Sequence, residues 1–318
     1  WHPAVRPAAA GTKVGADGVP RRCCVVANPA SGGGRGARVL AAVREAFAAH
    51  GITDVRVTSA PGQERELAQR AALDGIDTIV AMGGDGTWGN AAAGILESVR
   101  DARLALVATG TGNDFAFATR IPATDIAAAC AIATGESERR VDVGVVDGRA
   151  FLNVCGFGFD AEVLAASNAR TWLSGHARYL VTAAQKLLFY PGTYAAHATD
   201  DDVVPADPRR LLMLTVSNGP RFGGGFLIAP GAFVDDGKLD VVAVNDASPF
   251  RRVALFAGAT RGTHVRAPEV TVRQARRVRA RFHQPPWFDA DGELHRATAP
   301  EVTVECLPAR MRVASPAS

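Results

Sequence analysis

The stretch Thr78-Ile79-Val80-Ala81-Met82-Gly83-Gly84-Asp85-Gly86-Thr87 decides how this chain is read. A run of β-branched and apolar residues closed by glycines predicts a strand buried on both faces, at 78–82. The glycines behind it let backbone N–H groups come close to an anion, and a following helix adds its positive end. A loop built only to bind phosphate would avoid Asp85, because a carboxylate repels phosphate oxygens. Asp85 instead predicts a group that holds magnesium, orients water or accepts a proton.

The same punctuation recurs on either side. Cys23-Cys24-Val25-Val26-Ala27 runs into Asn28-Pro29-Ala30-Ser31-Gly32-Gly33-Gly34, and a strand at 104–108 runs into Gly110-Thr111-Gly112-Asn113-Asp114. Asp114 poses the same puzzle as Asp85. Between these loops, Val39, Leu40, Val43 and Phe47 recur at helical spacing until Gly51. A strand at 54–58 and helices at 62–73 and 90–99 complete the first third. Strands alternating with helices predict an open, mostly parallel sheet whose ligand sits at the carboxyl ends of the strands. All three glycine loops lie at those ends, so they should converge. There is no Walker A sequence, which excludes a P-loop ATPase.

Beyond Val141-Asp142-Val143-Gly144 the pattern changes. Short β-type runs at 151–155, 212–217, 239–244, 269–273 and 276–282 alternate with the turn signals Asp147-Gly148, Asp236-Gly237 and Asp291-Gly292. These predict a mostly antiparallel β domain. One helix interrupts it, with Tyr179, Leu180, Ala183, Ala184, Leu187 and Leu188 on a shared face that should pack on the sheet rather than on a membrane. A second helix is expected over 250–260. Arg273, Arg277, Arg279 and Arg281 alternate with other residues and read as a solvated strand face.

Composition narrows the classes. The chain has 318 residues, 47% hydrophobic and 21% charged, which is globular and long enough for two domains. A net charge of +3 gives no argument for nucleic acid, and none is expected as a partner. No apolar run reaches the roughly 18 residues a membrane span needs. The five cysteines show no CxxC or Cys/His spacing, so they read as free thiols in a reducing compartment. The seven histidines form no metal pair. Residues 1–22, rich in Pro, Ala, Gly and Arg, read as a disordered extension, and the chain from about Ala309 onward looks similar.

The ordered set of motifs resembles the diacylglycerol kinase catalytic-domain family, which includes bacterial lipid kinases and sphingosine kinases. The resemblance runs through the three loops above. It continues through Asp142-Val143-Gly144, Asn153-Val154-Cys155-Gly156-Phe157-Gly158-Phe159-Asp160, Gly223-Gly224-Gly225, Ala229-Pro230-Gly231-Ala232, Asp235-Asp236-Gly237-Lys238-Leu239-Asp240 and Asp291-Gly292-Glu293. It implies an α/β nucleotide-binding domain of the NAD kinase/diacylglycerol kinase type over 23–145, joined by a returning strand in 300–312. A C-terminal antiparallel β-sandwich over 146–299 would bind the lipid, and 313–318 would be a tail. The resemblance places ATP against Asn28, Ser31, Gly32, Gly83, Gly84, Asp85, Gly86, Thr87, Gly110, Thr111 and Asn113, with Asp85 organising nucleotide and magnesium. Glu293, ranked slightly ahead of Asp114, would be the general base. By similarity to some bacterial members, Asp236 with the carbonyls of Phe233 and Lys238 would hold a second, structural metal.

The function so implied is ATP-dependent phosphorylation of a lipid hydroxyl, in the cytoplasm at a membrane surface, with a homodimer left open. NAD kinase, which shares the Gly83–Thr87 loop, is the rival enzyme, and a nucleotide-binding regulator without turnover is the non-enzyme alternative. Three departures bear on this reading. Trp88, Gly89 and Asn90 stand where the family usually has a hydrophobic residue followed by Asn-Glu. Ala108-Thr109 lacks the common proline, and Phe117 replaces a frequent arginine.

Overall fold

The computed structural model of the protein describes residues 21–122, 125–168, 182–183 and 185–316. Of the expectations above, the extension up to residue 20, the helix positions Tyr179, Leu180 and Ala184, and residues 317–318 lie outside them.

The first part alternates as expected: β1 (Cys23–Ala27), α1 (Ser31–Ala48), β2 (Val55–Val57), α2 (Gln63–Leu73), β3 (Thr78–Gly83), α3 (Asp85–Glu97), β4 (Arg103–Ala108), α4 (Asp114–Ala118) and α5 (Ile126–Thr134). Strands β2, β1, β3 and β4 lie side by side in that order, all parallel. Strand β3 is buried along its whole length, which is why its sequence is apolar without alternation. Helix α3 begins at Asp85, earlier than the expected residue 90, because Asp85, Gly86 and Thr87 themselves form its first turn. Trp88 follows and is fully buried, its indole N–H donating to the Ala81 carbonyl at 3.1 Å. Trp88→Ala should cost about 3–5 kcal/mol, read as a lower urea midpoint with an unchanged slope.

The second part contains β5 (Glu138–Val146), β6 (Arg149–Phe151), β7 (Val154–Gly158), α6 (Phe159–Asn168), β8 (Thr193–Thr199), β9 (Arg209–Ser217), β10 (Leu239–Asn245) and α7 (Pro249–Ala259). A 3-10 turn at Thr263–Arg266 follows. Then come β11 (Val270–Ala275), β12 (Arg277–Phe282), β13 (Trp287–Ala290), β14 (Glu293–Arg296) and β15 (Glu301–Ala314). Pairing here is antiparallel throughout, with β7, β9 and β8 side by side, β12 on β8, and β10 between β9 and β11. Their inner faces supply a core that includes Phe157, Leu214, Val241, Val278 and Phe288. The run read as one strand at 151–155 is two strands, broken at Leu152-Asn153, where the backbone N–H groups turn to a side chain described below.

Strand β15 ties the two parts together. Its first half pairs antiparallel with β12; its second half lies parallel to β4 and antiparallel to β5. Ala309, at positive φ, marks the irregularity between the halves. The tail expected from about Ala309 onward is therefore strand up to Ala314, because Met311 and Val313 insert into the first core. The arginine row of β11 and β12 does not face open solvent alone. Arg279 donates to the carbonyls of Asp200 and Asp202, and Arg281 to those of Pro205 and Ala206.

Candidate active site

The three glycine loops meet at the carboxyl ends of β1, β3 and β4. Ser31 Oγ lies 2.7 Å from Thr109 Oγ1 and donates to the Asn28 carbonyl at 2.8 Å. Gly32, Gly33 and Gly34 have φ of 58°, 64° and 88°, a left-handed run that non-glycine residues resist. A Cβ on Gly32 would also collide with the Thr109 carbonyl oxygen. Gly83 accepts from the N–H groups of Thr109 and Gly110, and a Cβ on Gly84 would come within 2.9 Å of Gly110 Cα. Asn113 Nδ2 closes the third loop on the Gly110 carbonyl at 3.1 Å. The positive end of α3, at Asp85, Gly86 and Thr87, points into this junction.

Asn28 and Thr87 are braced by a residue the sequence did not single out. Glu64, on α2, is buried, and its Oε1 accepts from Asn28 Nδ2 at 2.7 Å and Thr87 Oγ1 at 3.4 Å. In sequence it is one of several charges on an amphipathic helix.

Carboxylates crowd the same junction. Asp85 Oδ1 accepts from the Phe115 N–H at 2.9 Å, and Asp114 Oδ2 accepts from the Gly224 N–H at 2.8 Å. A Cβ on Gly112 would sit 3.1 Å from Asp85 Oδ2 and 3.3 Å from Asp114 Oδ2, so two carboxylate oxygens border the space this glycine leaves open. Burial pushes Asp85 above the usual carboxylate range. Burial, and then the neighbouring Asp85, push Asp114 up to about 6. Arg221 Nε stands 3.5 Å from Asp114 Oδ1, an ion pair without a hydrogen bond, and its guanidinium lies 4.3 Å over the Phe117 ring. Thus Phe117 forms a seat for an arginine supplied by another part of the chain.

Across the junction, Asp291 is buried in the hairpin turn between β13 and β14. Its Oδ2 accepts from the Leu152 N–H at 2.6 Å, and its Oδ1 from those of Asn153 and Val154 at 2.9 and 3.0 Å. Burial raises it to about 7. Gly89 has a function in this packing, since a Cβ there would lie 3.2 Å from Asp291 Oδ2. Glu293, two residues on, does not line the cavity that Asp85 and Asp114 share. Its Oε1 accepts from Asn90 Nδ2 at 2.6 Å, and its Oε2 lies 3.6 Å from His295 Nε2. Hydrogen bonding from His295, with the Asn90 amide, holds its carboxyl below the usual range.

Asp85, Thr111, Gly112, Asp114, Asn153, Phe222, Gly224, Asp289 and Asp291 line one cavity; Asn90, Arg149, Glu293 and His295 line a neighbouring one. Asp236, Phe233 and Lys238 line neither. Asp236 Oδ1 accepts from the Lys238 N–H at 3.0 Å, and its Oδ2 is 3.3 Å from Gln274 Nε2. Among the described residues, no three His, Cys, Asp or Glu side chains converge on a common point fit for a metal. Asp85 and Asp114 do suit a magnesium ion that takes one or two carboxylates and finds its other ligands in phosphate and water. The gap above Gly112 and the raised carboxylates are what such an ion would relieve.

Residues 22–146 match the diacylglycerol kinase catalytic domain, and residues 153–315 the YegS C-terminal NAD kinase beta sandwich-like domain. A Xanthomonas oryzae pv. oryzae protein described as "Probable lipid kinase YegS-like" is 33% identical over 83% of this chain and 86% of its own length. This chain belongs to the YegS-like and diacylglycerol kinase family of lipid kinases. The diacylglycerol kinase of Bacillus subtilis is 28% identical over 86% of this chain and 90% of its own. Matches to Pseudomonas aeruginosa YegS-like proteins, at 35% identity, span 61% of those relatives. The crystal structure of a Bacillus anthracis diacylglycerol kinase shares the fold, with a TM-score of 0.69 over 93% of this chain and 97% of that one, at 19% identity.

Within this lipid kinase fold lies a further buried acid. Asp160, at the start of α6, is pushed up to about 7 by burial, and its Oδ2 has no hydrogen-bond partner. Gly156 makes room for it, since a Cβ there would collide with the carboxylate. Because its folded pKa exceeds the ordinary value, folding favours the protonated form. The cost of ionising it therefore grows as pH rises from about 4 to about 7 and is constant above. Asp160→Asn should remove that part of the slope and raise stability at pH 8 by about 1–3 kcal/mol, with little change at pH 4. Thermal unfolding of both proteins across that pH range checks it.

Proposed function

We propose that this protein is an ATP- and magnesium-dependent kinase that phosphorylates the hydroxyl of a membrane lipid, diacylglycerol or a related one. The observation that carries the reading is that two unlike spaces adjoin at one side chain. Phe222 lines both the carboxylate cavity and an apolar pocket walled by Phe159, Leu187, Met213, Leu255 and Phe256. A lipid held by its chain in the pocket would present its head group to Asp114. No helix among the described residues is long and apolar enough to cross a membrane, so the chain would meet its substrate from the membrane surface.

In this reading the nucleotide phosphates lie over Gly83, Gly84, Gly86 and Thr87 and beside Gly110, Thr111 and Asn113, with Asn28, Ser31 and Gly32 completing the cradle. Magnesium held by Asp85 would supply charge neutralisation at the phosphates. Asp114 takes the proton of the acceptor hydroxyl as its oxygen bonds to the γ-phosphorus and ADP departs. Its raised pKa suits a base, and burial strengthens its pull on the proton. Glu293 is the weaker base, because its oxygens face Asn90 and His295 in the neighbouring cavity and its carboxyl is held low. Arg221 would keep Asp114 aligned.

The test is transfer of radiolabelled γ-phosphate from ATP, with magnesium, to a panel of lipids in mixed micelles, with NAD as a control acceptor. A labelled lipid is the expected result and names the acceptor. Label in NAD alone, or no label, overturns the proposal.

A further inference from the structure

Helix α7 is apolar on the side it should show to water. Phe250, Val253, Ala254 and Ala257, at i, i+3, i+4 and i+7, share one exposed face, while Leu255 and Ala259 are buried beneath. Phe250 is 89% exposed and Val253 46%. The helical segment 185–189 ends beside it, for Arg252 of α7 donates to the carbonyls of Leu187 and Tyr190 at 3.1 and 2.8 Å. That end adds Leu188 and Phe189, 45% and 83% exposed. On the exposed side of α7 only Arg251, at the edge of this stripe, is polar, and a contiguous exposed apolar stripe marks an interaction surface.

The surroundings select the partner. Between residues 246 and 269 stand Arg251, Arg252, Arg261 and Arg266 against only Asp246 and Glu269. Both acids are already engaged, Asp246 by Arg210 and Arg252 and Glu269 by Arg251. Arg261 and Arg266, exposed on the turn that follows α7, have no acidic partner among the described residues. An apolar face flanked by unpaired cations fits an anionic bilayer, where the apolar side chains enter the acyl boundary and the arginines meet head-group phosphates. The same two segments also wall the apolar pocket, through Leu187, Leu255 and Phe256.

We propose that the outer face of α7, with Leu188 and Phe189, docks the protein on anionic phospholipid membranes and so brings the apolar pocket to the bilayer surface. This rests on the lipid-kinase reading for its purpose but not for its test. Sedimentation with phosphatidylglycerol/phosphatidylcholine vesicles needs no turnover. The intact chain should bind, and binding should weaken as phosphatidylglycerol is removed or salt is raised. Phe250→Glu with Phe189→Glu should lower the partition coefficient tenfold or more. Arg261→Glu with Arg266→Glu should lower it several-fold and reduce its salt dependence. All four positions are exposed, so circular dichroism and phosphoryl transfer to a short-chain acceptor in solution should stay unchanged. Absence of vesicle binding by the intact chain, or equal binding by the phenylalanine variant, overturns the proposal. So does a dimer that the phenylalanine variant splits while vesicle binding persists, since a second copy would then cover the face. Vesicle binding without any labelled lipid would sink the kinase reading and leave the docking face standing; label transfer without vesicle binding would do the reverse.

Discussion

Asp114→Asn is expected to lower kcat for lipid phosphorylation by about 10²–10⁴-fold, with little change in the KM for ATP. The amide keeps the oxygen that accepts from the Gly224 N–H but cannot take a proton. In the intact enzyme, kcat/KM should climb about tenfold per pH unit while this carboxyl is protonated and level off once it is ionised; burial and Asp85 raise the turning point, and added magnesium should move it down. The direction follows from the role, since a base works only when ionised. The comparison that decides the assignment is Glu293→Gln. If Glu293 is the base, its variant loses activity as severely and Asp114→Asn does not. If Asp114 is, Glu293→Gln still loses activity through the displaced Asn90 and α3, but by a smaller factor. It would also keep the acid limb of the pH profile.

Asp291→Ala is expected to be the most destabilising single change in the site. Three buried N–H groups, of Leu152, Asn153 and Val154, lose their only acceptor at once. Each unsatisfied donor costs about 1–3 kcal/mol, so the total should fall near 3–6 kcal/mol, much of the stability of an ordinary domain. Asp291→Asn should fall between, because its oxygen can still serve two of the three while its NH2 meets the third donor to donor. Urea unfolding of the three proteins measures this. Equal midpoints for Ala and the intact chain would mean that water replaces the carboxylate and that the β6–β7 break is not held by this side chain.

The parallel layer was legible because its physics is local. A strand buried on both faces must be nearly all apolar, and β1, β3 and β4 are beyond Thr78 and Arg103 at their starts; glycine must follow where the backbone turns left-handed, as it does at Gly32, Gly33 and Gly34. The second part was less legible. Strand β8, Thr193–Thr199, has three alanines in seven residues and carries little β signal. The break between β6 and β7 could not be read at all, since the acceptor that replaces the ladder is Asp291, far along the chain.

By itself the sequence determined the order of elements, the three loops and the acids Asp85 and Asp114 within them, because each is a property of a few neighbouring residues. Only the tertiary structure decided what those acids face. Glu64 reaches Asn28 and Thr87 from α2, and Arg221 reaches Asp114 from the sandwich side over Phe117. Asp291 reads as an ordinary turn former and proves to be a buried acceptor for three N–H groups. Glu293, two residues on, bonds to Asn90 and lines a cavity that Asp85 and Asp114 do not. Each of these contacts joins residues far apart along the chain, and no local pattern records which distant group the fold will bring against a side chain.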